Sequence, residues 1–182
     1  GVESNIIEDD FNCHHIIVEN WDNLENEKGV IFVSIPTLLD SSLAPEGKHI
    51  VHAFTPSSMN EWEGLSRKEY LQKKEEYFSF LIERISTILP NLQKNIEHKE
   101  IGTPKTHKKF LGRYQGSYGP IPSQKLLGLL PMPFNSTKIK NLYCVGDSCF
   151  PGQGLNAVAF SGYACAHKIG AKLKINSFKL PN

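Results

Sequence analysis

The sequence is short of the features that mark several common functional classes. Its longest apolar stretch, residues 126 to 134, is nine residues long and contains two prolines, whereas a helix that spans a bilayer needs about 20 apolar residues. The net charge is only +1, and no five like charges occur together, so no nucleic-acid partner is expected. The acidic N-terminus has no basic start followed by an apolar run, so no signal peptide is predicted.

Metal-ligand and nucleophile motifs are also missing. The four cysteines have no C-x-x-C spacing, and the seven histidines include no pair at helical spacing with an acidic companion. Such spacings are the usual signs of metal sites. No G-x-S-x-G elbow is present either. We therefore expect no metal site and a reducing compartment, in which Cys144 and Cys165 pack as small apolar residues.

What the chain does contain is the composition of a folded protein. Of its 182 residues, 40% are hydrophobic and 21% are charged, which is ordinary for a globular domain. Three runs rich in β-branched and aromatic residues, 13 to 19, 29 to 37 and 48 to 55, predict three strands of an antiparallel sheet. Residues 96 to 103 predict a fourth strand, which Pro104 ends.

One long helix is predicted from residue 66 to residue 89. Ser66 and Glu69 match a capping box, in which each side chain accepts a hydrogen bond from the backbone N–H of the other residue. Apolar residues then recur every three or four positions until Pro90. The aromatic residues on this face predict either a wall of a ligand tunnel or core packing, and core packing is the commoner role.

The most informative segment is residues 141 to 162, NLYCVGDSCFPGQGLNAVAFSG. Its apolar run, Leu142 to Val145, predicts a strand buried on both faces. Gly146 and Asp147 end that strand, a tight turn follows, and a helix is predicted from Leu155 to Lys168. Backbone N–H groups at the start of such a helix favour a negatively charged ligand.

The predicted helix is slim, because many of its side chains are small: Ala157, Ala159, Ser161, Gly162, Ala164 and Ala166. Small residues let a helix lie close to a sheet or to another helix. A helix this slim and apolar needs a partner on more than one side. We therefore expect it to pack against a further polypeptide segment or another subunit.

The strand ending in Gly-Asp, the Pro-Gly-x-Gly turn and the helix resemble the C-terminal flavin-contact motif of the FAD-dependent phytoene desaturase and amine oxidase superfamily. Five segments resemble, more narrowly, the carboxy-terminal half of the prolycopene isomerases, which are plastid and cyanobacterial carotenoid cis–trans isomerases. They are HAFT at 52 to 55, EWEGLSRKEY at 61 to 70, GTPKTHKKFL at 102 to 111, YGPIP at 118 to 122, and VGDSCFPGQG at 145 to 154. They occur in the family's order and cover nearly the whole chain.

The resemblance implies which residues contact a flavin. The cofactor-binding residues would be Gly146, Asp147, Pro151, Gly152, Gln153, Gly154 and Leu155. Asp147 would accept hydrogen bonds from the ribityl hydroxyls, and the helix start would stabilise negative charge near N1 and O2 of the reduced ring. No catalytic residue is assigned; the carboxylates of Glu61, Glu63 and Glu100 are weak candidates for an acid.

The implied fold class is α/β. Residues 10 to 135 would form an α+β substrate region with an antiparallel sheet, and residues 136 to 175 would form the C-terminal strand, turn and helix of a Rossmann-like FAD-binding domain. That superfamily binds the ADP part of FAD with an N-terminal G-x-G-x-x-G segment, which this sequence does not contain. FAD binding would therefore need an N-terminal half, supplied by the same or another polypeptide.

The implied function is isomerisation of poly-cis lycopene with reduced FAD and no net redox change, in the plastid stroma or at the thylakoid surface. The alternative is a non-catalytic fragment that serves as a structural or interaction subunit of a plastid assembly, such as a thylakoid photosynthetic complex. The retained Asp147 and the glycines of the turn favour the enzyme. The absent G-x-G-x-x-G segment favours the alternative, so whether the chain is an enzyme stays open.

Two further segments each have more than one interpretation. Residues 126 to 134 could dip into a membrane interface to collect a carotenoid, or they could line the core. The second segment is a basic cluster formed by Lys105, His107, Lys108, Lys109 and Arg113. A solvated face is its commonest meaning, and contact with flavin phosphates or with an anionic lipid surface is the other.

Overall fold

The computed structural model describes residues 1–8, 10–24, 26–117, 119 and 132–175. The chain divides into two compact units, Gly1–Ser117 and Tyr118–Asn182. The strands are β1 (Val2–Glu3), β2 (His14–Val18), β3 (Val30–Ser34), β4 (Lys48–His49) and β5 (His52–Phe54), and the helices are α1 (Arg67–Ile85), α2 (Pro104–Leu111) and α3 (Leu155–Lys172). The described residues thus mix helix with antiparallel sheet, and the predicted Rossmann-like part is not confirmed among them.

The main sheet of the first unit has the strand order β2-β3-β5, and both pairings are antiparallel. Side chains alternate between the two faces of a strand, so Ile31 and Val33 of β3 point into the core, where both are fully buried. Ile16 lies opposite Phe32, which lies opposite Phe54, on the other face. Two of the three strands predicted between residues 13 and 55 are therefore confirmed with shorter ends, and the third contributes only β5 to this sheet.

The predicted strand from 48 to 55 is divided between two sheets. Lys48 and His49 pair with β1 in a separate two-stranded sheet, while His52 to Phe54 joins β3. The Lys48 ammonium lies 2.6 Å from a carboxylate oxygen of Glu3 and 2.6 Å from one of Glu97. These ion pairs hold β4 beside β1.

The predicted fourth strand from 96 to 103 is wrong. Within the described residues, Ile96 alone of this segment makes a bridge, to Val2. The backbone N–H groups of Glu97 and His98 both donate to the Gly1 carbonyl. They therefore do not form the regular hydrogen bonds of a strand pair. Thr103 then caps a helix instead of ending a strand.

Helix α1 begins as predicted. The Ser66 hydroxyl accepts from the Glu69 N–H, and a Glu69 carboxylate oxygen accepts from the Ser66 N–H at 2.8 Å. The helix ends at Ile85, one turn before the predicted end, where the hydroxyls of Ser86 and Thr87 bond to carbonyls of the last turn. Ile85 packs with Leu89 and Leu92 against the buried face of the main sheet.

Helix α2 was not predicted. Pro104 occupies its first turn, where the missing N–H costs nothing. Thr103 and Thr106 form a capping box, and Gly112 ends the helix with a φ of 62°. Among the described residues, no helix combines the length and the apolarity that crossing a bilayer requires.

Candidate functional site

The run Leu142 to Val145 is not the predicted strand buried on both faces. Within the described residues it makes a single bridge, between Tyr143 and Ser136, and both Leu142 and Val145 are exposed. A strand buried on both faces needs neighbours on both sides. In the described part of the chain, only the segment around Asn135 pairs with the run, through the Cys144 N–H and the Asn135 carbonyl at 2.9 Å.

A buried polar pair, Asn135 and Ser161, positions the Gly146 turn. The Asn135 amide nitrogen donates to the Cys144 carbonyl at 3.0 Å and to the Ser161 hydroxyl oxygen at 3.1 Å. The same hydroxyl oxygen lies 3.3 Å from the Gly146 N–H, which donates to it. Ser161 is wholly inaccessible to solvent and sits in the middle of α3. The end of the apolar run is therefore attached to α3 by hydrogen bonds from two buried side chains.

Neither residue of this pair was predicted to have a polar role. Asn135 was only the edge of a predicted domain, and Ser161 was counted among the small residues of the helix. A serine in an otherwise apolar helix was the available signal, because a buried hydroxyl needs a hydrogen-bond partner.

The turn that follows depends on glycine at three positions. Gly146, Gly152 and Gly154 have φ angles of 112°, 117° and 104°, which side chains with a Cβ rarely adopt. Gly152 is buried, and a Cβ there would lie 3.3 Å from the sulfur of Met132. A Cβ at Gly146 or at Gly154 would have no atom within 4 Å, so the backbone at both positions borders open space.

Helix α3 starts at Leu155, as predicted, and ends at Lys172, one turn later than predicted. Gly154 precedes it and supplies no side-chain cap, so within the described part of the chain the first-turn N–H groups have no capping side chain and can serve an external acceptor. The side chains of Gln153 and Leu155 are exposed, Leu155 by 86%. This exposed end carries no carboxylate in its first turn that would repel an anion.

The structure places the seven predicted cofactor-binding residues along one segment of the second unit. Gly146, Asp147 and Pro151 are half-buried, Gly152 is buried, and Gln153, Gly154 and Leu155 are exposed. The Ser148 hydroxyl lies 3.4 Å from an Asp147 carboxylate oxygen, to which it donates. The first-turn N–H groups of α3 can donate to an anion, and the backbone at Gly146 and Gly154 borders open space. These residues therefore fit the negatively charged edge of a flavin ring. Their role in binding flavin stays a prediction.

Among the described cysteines and candidate acids, Cys149 and Glu61 are each held in the less reactive protonation state. Burial raises the pKa of the Cys149 thiol, with smaller contributions from the neighbouring cysteines and Asp147, which keeps the thiol neutral. The Lys73 ammonium, 2.8 Å from a carboxylate oxygen of Glu61, lowers the pKa of Glu61 through a hydrogen bond. Glu61 is therefore ionised at neutral pH and is a poor proton donor.

The outer face of the main sheet is an apolar surface. Ile16, Phe32 and Phe54 lie side by side across the three strands. The rings of Phe32 and Phe54 are stacked, with centroids 4.8 Å apart and planes inclined by 13°. Ile16 is 62% exposed. We call these three residues the open sheet face.

Most of the predicted membrane-interface segment, residues 126 to 131, lies outside the described residues. Of its remainder, Met132 is buried under the Gly152 turn, whereas Phe134 is exposed and contacts the ring of Phe150 at 5.3 Å. The described remainder thus includes one core residue and one surface residue.

Comparison with known proteins confirms the predicted resemblance. The chain is 54% identical over 175 residues to the chloroplastic prolycopene isomerase of Arabidopsis thaliana, which covers 95% of the chain and 29% of that protein. It is 55% identical over 175 residues to the carrot (Daucus carota) enzyme, covering 95% of the chain and 28% of that protein. It is 56% identical over 177 residues to prolycopene isomerase 1 of an Oncidium hybrid, covering 96% of the chain and 30% of that protein.

The chain therefore spans less than a third of the length of the curated relatives it matches. No protein-family model matches it.

Proposed function

We propose that this chain forms part of a plastid carotenoid isomerase that converts poly-cis lycopene with reduced FAD and without net redox change. The observation that carries the proposal is the 54–56% identity to prolycopene isomerases across at least 95% of the chain. The names of these relatives describe them as chloroplastic, which supports a plastid location. We place the protein in the stroma or at the thylakoid surface.

The Gly152 turn and the start of α3 would hold the flavin. The first-turn N–H groups, at the positive end of the helix dipole, would stabilise negative charge at the edge of the reduced ring. Gly154 would let the ring approach the backbone, since a side chain there would project into open space. Asp147 would accept hydrogen bonds from ribityl hydroxyls. Reduced FAD, when bound, would supply the electron density that loosens a double bond of the polyene.

The open sheet face would provide a surface for the polyene. A carotenoid is long, flat and apolar, and stacked aromatic rings with a neighbouring isoleucine match that shape without leaving a polar group unpaired. An exposed isoleucine gains free energy when an apolar ligand covers it. Binding of the polyene would therefore account for the exposure of Ile16. Ile16→Asp should therefore raise the KM for the carotenoid, while Leu39→Asp, at another exposed apolar position, should leave it unchanged.

The partner that we propose is an N-terminal FAD-binding half, from the same or another polypeptide. Two features support it. Leu142 and Val145 are exposed although their composition suits a buried strand, and Phe160 and Tyr163 are exposed on α3, which buries only Ser161, Cys165 and Gly170. A neighbouring sheet would cover these apolar side chains and complete the nucleotide-binding domain.

The test starts with the visible absorption spectrum of the complete purified protein, followed by an assay on poly-cis lycopene with reduced FAD. We expect flavin bands and conversion to the all-trans isomer. Gly154→Ala should weaken flavin retention roughly tenfold or more, because a Cβ at a φ of 104° costs about 1–3 kcal/mol. Gly102→Ala is the matched control, since a Cβ there meets no atom within 4 Å and its φ lies outside the strained range.

Absence of both flavin and isomerisation would overturn the proposal. Such a result, together with co-purifying photosynthetic subunits, would favour the non-catalytic subunit instead. The comparisons give no support to that alternative.

A further inference from the structure

Three apolar side chains are exposed together at the end of α2 and just after it. Phe110 is 72% exposed, Leu111 is 64% exposed and Tyr114 is 82% exposed. They lie within five residues of each other, on a short helix and the turn that follows it. Isolated exposed apolar residues are ordinary, but a cluster of this kind marks an interaction surface.

The helix that carries this cluster has a basic side and an apolar side. Lys105, Lys108 and Lys109 are spaced by three and four residues and share one side. Phe110 and Leu111 fall on the other side of the helix, with the half-buried His107 between them. The Lys109 ammonium lies 5.1 Å from the centroid of the Phe110 ring, so positive charge lies directly beside the exposed aromatic ring.

Positive charge is concentrated around this helix. Between residues 101 and 117 the chain has four lysine or arginine residues and no aspartate or glutamate, although the whole chain has a net charge of only +1. A cavity of about 540 Å³ opens on the basic side and is lined by Met59, Glu63, Gly64, Lys105, Lys108 and Lys109. Its single carboxylate, Glu63, lies 4.0 Å from the Lys108 ammonium and is exposed. The cavity is large enough for a phosphate-bearing headgroup.

The helix is held so that its apolar side stays exposed. The Tyr70 hydroxyl lies 3.0 Å from the Thr103 hydroxyl, which belongs to the capping box of α2. At the other end, Gly116 lies against the backbone of Pro104 so closely that a Cβ would collide with it. Rotation of α2 to bury Phe110 would break these contacts, so the apolar side stays available to a partner.

We propose that α2 and Tyr114 dock on the surface of a bilayer that contains anionic lipids. Phe110, Leu111 and Tyr114 enter the interface, while Lys108 and Lys109, which are exposed, contact headgroup phosphates. A bilayer surface offers apolar chains and negative charge within a few ångströms of each other, and a short amphipathic helix with a basic polar side matches both. A nucleic acid would use the cations but would leave Leu111 in water.

The test is flotation of the complete protein with two kinds of vesicle, phosphatidylcholine alone and phosphatidylcholine with phosphatidylglycerol. We expect binding to the anionic vesicles that weakens with added salt. Phe110→Ser with Leu111→Ser should lower the partition coefficient on the order of tenfold or more, since both apolar contacts are lost. Lys108→Gln with Lys109→Gln should lower it roughly fivefold for each cation removed.

Matched controls alter the same residue types elsewhere on the surface. Trp21→Ser with Leu39→Ser removes two exposed apolar side chains, and Lys68→Gln with Lys94→Gln removes two exposed cations. Neither pair should change binding. All the substituted side chains of α2 are exposed, so the unfolding midpoint of both double variants should equal that of the wild type. If the variant with Phe110→Ser and Leu111→Ser does not fold, the variant with Lys108→Gln and Lys109→Gln still tests the proposal.

The proposal is overturned if the wild-type protein does not float with anionic vesicles, if it binds both kinds of vesicle equally, or if the α2 variants bind as the wild type does. It stands independently of the proposed reaction. Isomerisation of detergent-dispersed carotenoid should persist in the α2 variants, so loss of docking and loss of the reaction are separate results.

Discussion

Replacing Asn135 by alanine tests the hydrogen bonds that attach the Gly146 turn to α3. The Asn135 amide nitrogen lies 3.0 Å from the Cys144 carbonyl oxygen and 3.1 Å from the Ser161 hydroxyl oxygen, and the residue is buried. Asn135→Ala removes this donor. It keeps the backbone hydrogen bond between the Asn135 carbonyl and the Cys144 N–H.

The expected loss of stability follows from counting the lost hydrogen bonds. A hydrogen bond between neutral groups contributes about 1 kcal/mol net, and a buried acceptor left without a donor costs about 1–3 kcal/mol. The Ser161 hydroxyl oxygen still accepts from Gly146, and Cys144 is an exposed residue, so the penalty for an unpaired acceptor is small. The lost contacts also include the Ser161 carbonyl oxygen, 3.3 Å from the Asn135 amide nitrogen. We expect the free energy of unfolding to fall by about 1–3 kcal/mol.

The assay is urea denaturation of the complete protein, compared with hydrogen exchange at the Gly146 amide. Exchange there should accelerate, because opening of the turn no longer has to break the bonds of Asn135. Ser161→Ala and the double variant complete a cycle, in which a coupling of about 1 kcal/mol or more is expected for groups in direct contact. Asn60→Ala, at an exposed asparagine, is the matched control.

Two results would refute the reasoning. One is a loss of stability for Asn135→Ala within about 0.5 kcal/mol of that for Asn60→Ala, which is the size expected of surface substitutions. The other is strict additivity of Asn135→Ala and Ser161→Ala, because the two side chains would then not interact.

Three further predictions concern the first unit. Ile31→Ala should destabilise it by about 2–5 kcal/mol, because the change leaves a cavity in the core. Ile16→Ala, on the other face of the same sheet, should cost less than about 1 kcal/mol. Thermal unfolding of the two variants measures both losses, and equal losses would contradict the assignment of the two faces. Ser66→Ala should cost about 1 kcal/mol by removing the cap of α1, and denaturant unfolding that shows no loss relative to Ser117→Ala would argue against the capping box. The hydrogen bond from Lys48 lowers the pKa of Glu97 below its ordinary value of 4.5, so its stabilisation is present above that pH and is lost as the pH falls through the lowered pKa. Wild type should therefore exceed Glu97→Gln in stability at neutral pH but match it in strong acid, and a difference that persists there would count against the ion pair.

The helices that the sequence predicted well carry their own start signals. The capping box of Ser66 and the glycine turn before Leu155 act within a few residues, so they can be recognised without knowing the rest of the fold. Helix α2 carried similar signals in Thr103, Pro104 and Gly112. They were overlooked because its lysines were interpreted as a charged surface segment and not as one side of a helix.

The two strands that failed had no such local determinant. Residues 96 to 103 and the run from Leu142 to Val145 have suitable composition, but a strand exists only where another strand offers its N–H and C=O groups. The first run meets the Gly1 carbonyl and then a helix cap. Of the residues that the structure describes, the second pairs with the Asn135 segment alone. The hydrogen bond between Asn135 and Ser161 was not predicted either. The two residues are 26 positions apart, so no local pattern shows that they meet.

The register of the main sheet has a consequence for how the length of this chain can change. Because side chains alternate with a period of two, inserting one residue between Val30 and Ile31 would send Phe32 into the core and bring Ile31 and Val33 to the open side. Adding or removing residues between Val18 and Val30 shifts neither strand against its neighbours. Insertions and deletions among homologues should therefore collect in that connection and avoid the five residues of β3.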